Sequence, residues 1–580
     1  MKLWRSLLSI LVLSGLMACE STSSNAPNPQ PKTFSAHLEK VATKQAMVDP
    51  NPANPAPFLL HADIIRDLGT FRIKVKELNL LNNLTRKRAT NEIIEYTSFQ
   101  RDGYLCVRTI VRIYSGRADA DFWVYVTFGH TGTSQVSFPR EEMEIKLSNT
   151  KGSSSVLLDA PPKATDIIGH GQGLPLKYFK YNFTSDKITP TNEIKLLGRP
   201  TVIAPWFTVS IPPPWIKDFP KALVELRKPE NKSFLPLEET PYVPSFPGRT
   251  GGQRQFGTYG VMPEIYGGAI FVDIWRKQLY QEGSRTGHFL HPDGTRVSDN
   301  DPRYDKLVAG SEFHKNSRGY KKQAWFKPTN YTWMGTTPNG GRWRHWNMQH
   351  WSLTTMCQVY ILTQDPGLEL LLEDLAENFL FANPAVEKGT THHIPGSARG
   401  RGRVIESGAS MYYALHDPAI KERLKKRINA LVLLQMDSWD ANGIVVRGGK
   451  EIAAWEHGIW VTGLAAAFHL VEDHALQLRM YHASIDIGKF VLKSFKYWEN
   501  DKRWAIPYLL SVDQTTWSNS PSYGLSDWCL PCIQLLDRFG QPFLSIDQKT
   551  KLKTIITEYT TNRVPPDHKG YGNGFRWRLY

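Results

Sequence analysis

Long apolar runs, cysteines and acidic residues are all scarce in this sequence. After the first twenty residues no apolar stretch is long enough for a transmembrane helix, so membrane-embedded function is excluded for the bulk of the chain. Five cysteines in 580 residues are too few for a disulfide scaffold. Cys529 and Cys532 are close enough in sequence to bridge, but their segment reads as helical, where two buried thiols fit equally well. No thioredoxin-like βαβ pattern surrounds them. Acidic residues number 55 against 70 Lys and Arg, a formal charge of +15. That excess favours anionic partners: acidic polysaccharide, lipid head groups or teichoic-type polymers. The basic residues are dispersed and accompany no recognition motif, which argues against nucleic acid. His345 and His350 do not share a helix face in the manner of paired zinc ligands, so no metal is expected, and no cofactor. What the chain has in quantity is aromatic surface, with 18 Trp and 23 Tyr. Such rings bury large areas and also stack on the apolar faces of sugars.

The N-terminus opens with Lys2 and Arg5, an apolar run from Leu7 to Leu13, and then Leu16-Met17-Ala18-Cys19. A charged start, a short apolar core and small residues before a cleavage point form a secretory signal. The cysteine after Leu-x-Ala resembles the bacterial lipobox. That resemblance implies acylation of Cys19 and a chain exported and anchored by lipid to a bacterial membrane, on its periplasmic or cell-surface face. Residues 1–19 are read as this signal. Residues 20–57, rich in Ser, Asn, Pro and Gln, are read as a flexible tether.

From 58 to 228 the pattern has period two. In the run Val107 to Ile113, Arg108 and Arg112 fall on one face and Val107, Val111 and Ile113 on the other. Several such strands bounded by Gly, Pro, Asn or Asp indicate an antiparallel β-sandwich. A Pro- and Gly-rich segment, 229–340, is read as linker and interdomain chain. From 341 to 580 the period changes to helical. Four times an apolar helix, a tight polar turn and a more amphipathic helix follow one another. The turns read Thr363-Gln364-Asp365-Pro366, Leu415-His416-Asp417-Pro418, Val471-Glu472-Asp473-His474 and Phe539-Gly540-Gln541-Pro542. Asp before Pro predicts an N-cap followed by the first helical position. Leu368, Leu371, Leu372, Leu375 and Phe379 form one stripe. The first helices of the pairs start near His345, Arg401, Trp455 and Leu525, the last interval being the longest. Stacked hairpins of this size share a core.

Polar and aromatic residues gather at the starts of those first helices: His345-Trp346-Asn347-Met348-Gln349-His350-Trp351, Arg399 to Arg403, Trp455-Glu456-His457, and Tyr523 to Trp528. In a ring of hairpins these ends meet at one mouth. The stretches Gly287-His288-Phe289-Leu290-His291-Pro292-Asp293-Gly294-Thr295, Asn347 to Trp351, Leu362 to Pro366 and Ala398 to Arg403 resemble the α/α-toroid (six-hairpin) domains of carbohydrate-active enzymes. The nearest likeness is to the exo-rhamnogalacturonan-lyase and YetA-like group, over about half the chain. The resemblance implies a multidomain α+β chain in which a β-sandwich precedes a helical toroid, acting on an acidic polysaccharide or oligosaccharide.

Two chemistries suit such a mouth. β-Elimination from a uronate needs a base of suitable pKa and donors for the charge that develops on the carboxylate. His350, His457 and Tyr523 are candidates for base or acid, with Asn347, Arg399, Arg401 and Arg403 as donors; guanidinium forks match carboxylates. Glycines between the arginines would let backbone approach a ligand. Hydrolysis needs two carboxylates, one held protonated; Glu406, Glu456 and Asp527 are the candidates. Trp346, Trp351, Trp455 and Trp528 are candidate sugar platforms, and His288 a residue that closes over the mouth. Elimination is the favoured expectation. The alternatives are a hydrolase and a surface lipoprotein that binds glycan without catalysis. For each polar candidate the plain reading is structural: a core histidine, a helix cap or a rim ion pair.

Overall fold

In a computed structural model, the structure describes parts of 72–190, a few residues between 276 and 298, and 353–383 and 397–561 apart from 448, 519, 520 and 522. It is an antiparallel β region followed by a helical region. The strands are β1 (Arg72–Ile73), β2 (Leu78–Asn79), β3 (Thr85–Ala89), β4 (Ile93–Asp102), β5 (Leu105–Tyr114), β6 (Asp119–Phe128), β7 (Gln135–Ser137), β8 (Ile145–Ser148), β9 (Ser154–Leu158), β10 (Ile167–Gly169), β11 (Gln172–Gly173), β12 (Lys177–Asn182) and β13 (Lys187–Pro190). The main sheet has seven strands in the order β13-β12-β6-β5-β4-β3, with β11 also on β6. A four-stranded sheet runs β2-β1-β8-β9.

Alternation along a strand ordinarily marks one solvated face, but both faces of β5 and β6 are buried. Register explains it. Arg108 faces Tyr125, Ile110 faces Trp123 and Arg112 faces Asp121 across the β5–β6 ladder, so these six residues share one face. That face lies under the helices rather than in water. Arg108 makes a buried forked pair with Asp374, Nη1 donating at 2.9 Å. Arg112 donates to the Gln364 carbonyl at 2.5 Å and lies 3.4 Å from Glu95. Trp123 donates to the Tyr280 hydroxyl at 2.9 Å, and that hydroxyl donates to Asp365. Trp123 and Tyr125 belong to the same core as Leu368, Leu372 and Phe379.

The helices form hairpins: α1 (Thr354–Thr363) with α2 (Pro366–Ala382), α3 (Ala398–Ala414) with α4 (Pro418–Asn442), α5 (Ala454–Ala467) with α6 (His474–Ser494), and the short α7 (Tyr523–Ser526) and α8 (Leu530–Leu535) with α9 (Ile546–Thr561). α1, α3, α5 and α8 pack in sequence as an inner layer, and α2, α4, α6 and α9 pack outside them. Asp365 and Asp417 cap α2 and α4, accepting from Gly367 at 2.8 Å and from Ala419 at 2.8 Å, with Pro at the first position of each helix. The fourth turn departs from the pattern, because Pro542 sits in a 3₁₀ turn and α9 begins only at Ile546. α1 begins at Thr354, later than expected, and His345 to Trp351 lie outside the described residues.

The α3–α5 contact is the closest in the inner layer and is made by glycine. A Cβ on Gly402 would collide with the Ile459 carbonyl, and one on Gly463 with the Gly402 carbonyl. Gly458 has the same relation to the Trp528 carbonyl. The longer last interval between hairpins holds an insertion, with strands β15 (Lys496–Trp498), β16 (Arg503–Ala505) and β17 (Leu510–Ser511). The last of these pairs with β14 (Glu451–Ile452), the strand just before α5. No disulfide joins Cys106, Cys357, Cys529 or Cys532, all buried. No helix among the described residues is long and apolar enough to cross a membrane.

Candidate functional site

Residues spaced i, i+4, i+7 on one helix share a face. On α3 this places Arg399, Arg403 and Glu406 on one stripe, with Ser410 one turn further. Ser397 starts the helix by accepting from the Gly400 N–H at 3.1 Å. The three arginines therefore stand in the first two turns of a helix and diverge. Arg401 turns the other way, donating to the Ser438 hydroxyl at 3.2 Å and lying 4.8 Å from the Trp460 ring. Burial lowers its guanidinium to about 10. Gly402 serves the contact with α5, not the approach of a ligand.

The Arg399–Glu406 stripe meets the first turn of α5 and the Trp528 ring. Arg399 lies 3.9 Å from the Glu456 carboxylate and 5.1 Å from the Trp455 ring. Its guanidinium is lowered, by burial first and by repulsion from Arg447 as well, against the opposing pull of Glu456. Arg403, fully buried, lies 4.8 Å from the Trp528 ring. Glu406 stands seven residues, roughly 10 Å, deeper along α3 than Arg399. Burial pushes its carboxyl up to about 7 against the opposing effects of Arg403 and of a hydrogen bond with Thr354. Its Oε2 has no hydrogen-bond partner among the described residues. Such a carboxyl is held protonated near neutrality, the state a general acid needs.

His457 is engaged differently. Its Nε2 accepts from the Val445 N–H at 3.1 Å and its Nδ1 donates to the Ala453 carbonyl at 3.0 Å. Both nitrogens are taken by backbone, the partners fix the tautomer, and burial brings the imidazole down to about 4. A ring so placed ties the 445–453 loop to α5; it has no nitrogen left for proton transfer to a ligand.

The structure thus brings together Arg399, Arg403, Glu406, Trp455, Glu456 and Trp528 and turns Arg401 and His457 elsewhere. His288, Trp346, Asn347, His350, Trp351 and Cys19 lie outside the described residues, as do the side chains of Tyr523 and Asp527. Three residues that sequence reasoning passed over join the group. Thr354 reaches Glu406 from α1. Tyr508 stacks on Trp455 with ring centres 6.2 Å apart at 28°. Arg447 comes close to Arg399 from a turn closed by the Arg447–Glu451 bridge. Thr354 stands at the actual start of α1, past the start expected near His345, and so went unmarked. Tyr508 and Arg447 lie in connecting segments, where nothing in the local pattern marks them. Among the described residues no group of three or more His, Cys, Asp or Glu is placed to hold a metal ion. Comparison with protein-family models, curated proteins and solved structures gives no match to this chain.

Proposed function

We propose that this chain is an enzyme that cleaves the glycosidic bonds of an acidic, uronate-containing polysaccharide. The observation that carries the reading is Glu406, a buried carboxyl held protonated to about pH 7 on the same helical stripe as Arg399 and Arg403. Glu406 donates a proton to the leaving glycosidic oxygen. Glu456, one helix away beside Arg399, supplies the second carboxylate. The arginines, seated over the Trp455 and Trp528 rings, balance the uronate charge. The engagement of both His457 nitrogens moves the balance from elimination towards hydrolysis, since one of the candidate bases is taken.

Two further parts of the proposal rest on sequence and packing. The inner and outer layers of hairpins are an arrangement that a toroid would also have. The segment Lys2 to Cys19 supports export and lipid anchoring at a bacterial membrane, where a basic surface meets anionic glycan.

Protein lacking residues 1–19, incubated with polygalacturonate and with a neutral glucan, tests the reading by reducing ends and by the ultraviolet absorbance of unsaturated uronate. New reducing ends on the acidic polymer alone, with no absorbance, support hydrolysis. Absorbance rising with them would replace it by elimination, and silence in both would remove the enzyme. Glu406→Gln is expected to lower turnover about a hundredfold or more, and wild-type turnover should decline above pH 7 as the carboxyl loses its proton.

A further inference from the structure

The insertion between α6 and α7 places a ledge beside Arg399 and Trp455. β17 pairs with β14, Glu451 facing Ser511 and Ile452 facing Leu510, and Leu510 also bridges to Trp517. The ledge is therefore fixed to the start of α5, the helix that carries Trp455 and Glu456. Its outer surface is aromatic: Tyr508 is 41% exposed and Trp517 42% exposed, where large apolar side chains are ordinarily covered. Lys496 holds its ammonium 4.6 Å from the centre of the Trp517 ring. Asp513, the acidic residue at the tip, is already engaged, its Oδ1 accepting from the Thr515 N–H at 3.1 Å and its Oδ2 from the Thr515 hydroxyl at 2.7 Å.

The ledge continues into the helix mouth. Tyr508 stacks on Trp455, and the indole N–H of Trp455, a residue only 4% exposed, has no hydrogen-bond acceptor among the described residues. A buried donor without an acceptor is costly and marks where an oxygen of a bound molecule would sit. Arg399 lies 3.9 Å from Glu456 and feels the charge of Arg447, whose turn also holds Glu451, so the junction of ledge and mouth carries both signs and the ledge adds the positive charge of Lys496. An exposed ring with an ammonium over one face suits a sugar whose carboxylate pairs with the ammonium and whose apolar face stacks on the rest of the ledge.

We infer that the ledge carrying Tyr508 and Trp517 is a second binding subsite, one that holds the neighbouring uronate units of a polymeric acidic chain whose next unit lies at Arg399 and Trp455. The inference rests on the glycan reading above and adds to it a preference for polymer over short oligosaccharide.

Binding of the full chain to polygalacturonate, to its trimer and to neutral dextran tests it, with Trp517→Ala and Lys496→Gln as variants. Trp517 is exposed, so its loss should leave the melting temperature unchanged. Trp517→Ala should weaken polymer binding about fivefold, the equivalent of roughly 1 kcal/mol for a lost stacking ring, and leave the trimer unaffected. Lys496→Gln should weaken the polymer and make its binding less sensitive to salt. Wild-type retention by polygalacturonate with an unaltered Trp517→Ala would overturn the ledge and leave the helix mouth standing. An equal loss for trimer and polymer would also overturn it, since the ring would then act at the mouth. Failure of the wild type to bind any acidic polymer would overturn both readings together.

Discussion

In the folded chain Glu406 keeps its proton to about pH 7, where an ordinary glutamate loses it near 4.5. Over that interval the folded state binds the extra proton, so this stabilisation is complete at low pH and is lost as pH rises from 4.5 to 7. His457 does the reverse. Its ordinary value is 6.5 and its folded value about 4, so the unfolded chain takes the proton first. The stabilisation from neutral His457 is complete above 6.5 and is lost as pH falls towards 4. Each shift is worth about 3 kcal/mol across its window, and between 4.5 and 6.5 the two slopes cancel. Glu406→Gln should uncover the His457 slope. Urea midpoints measured against pH are expected to climb more steeply across that range in the variant than in the wild type; parallel profiles would show that the two groups do not titrate as described.

At the scale of helices, Gly402 and Gly463 set the distance between α3 and α5, and with it the approach of Arg399 to Glu456. Either glycine replaced by alanine puts a methyl group against a backbone carbonyl, which cannot rotate away. The expected cost is about 1 to 3 kcal/mol, read as a fall in melting temperature, together with loss of turnover because the two helix mouths separate. Gly443→Ala has space, but its backbone at φ +62°, ψ −128° is open to glycine almost alone, so it should cost a similar roughly 1 to 3 kcal/mol without changing the α3–α5 distance. Much of this level was legible in the sequence. The Asp-Pro caps and the leucine stripe of α2 are local signals, decided within a few residues, and the structure has them in place. The seven-strand order, the arginine-bearing sheet face lying under helices and the divergence of Arg401 from Arg399 and Arg403 were not legible. Each depends on which element packs against which. The mouth residues were found in part for the same reason: helix starts can be read locally, whereas Tyr508 and Arg447 arrive through an insertion and a turn whose destination only the fold supplies.

At the scale of the molecule, sheet and helices share one core, and the pair of Arg108 with Asp374 is buried at their junction beside Arg296, whose Nε donates to Asp374 at 2.7 Å. Asp374 keeps Arg296 when Arg108 is removed, so the cost falls below the roughly 3 to 5 kcal/mol of a buried charge left with no partner. Arg108→Met should therefore lower the melting temperature of sheet and helices together, in a single transition; a sheet that melted alone would contradict the shared core. The same pair joins residues 266 positions apart in sequence. At about 5 to 20 residues per second of synthesis, β5 exists for roughly 13 to 53 seconds before Asp374 has been made. During that interval its arginines and the aromatic rings of β6 have no helices to cover them. That face therefore closes late in synthesis, and how long it needs protection from aggregation is set by the distance along the sequence between a strand and the helix that completes it.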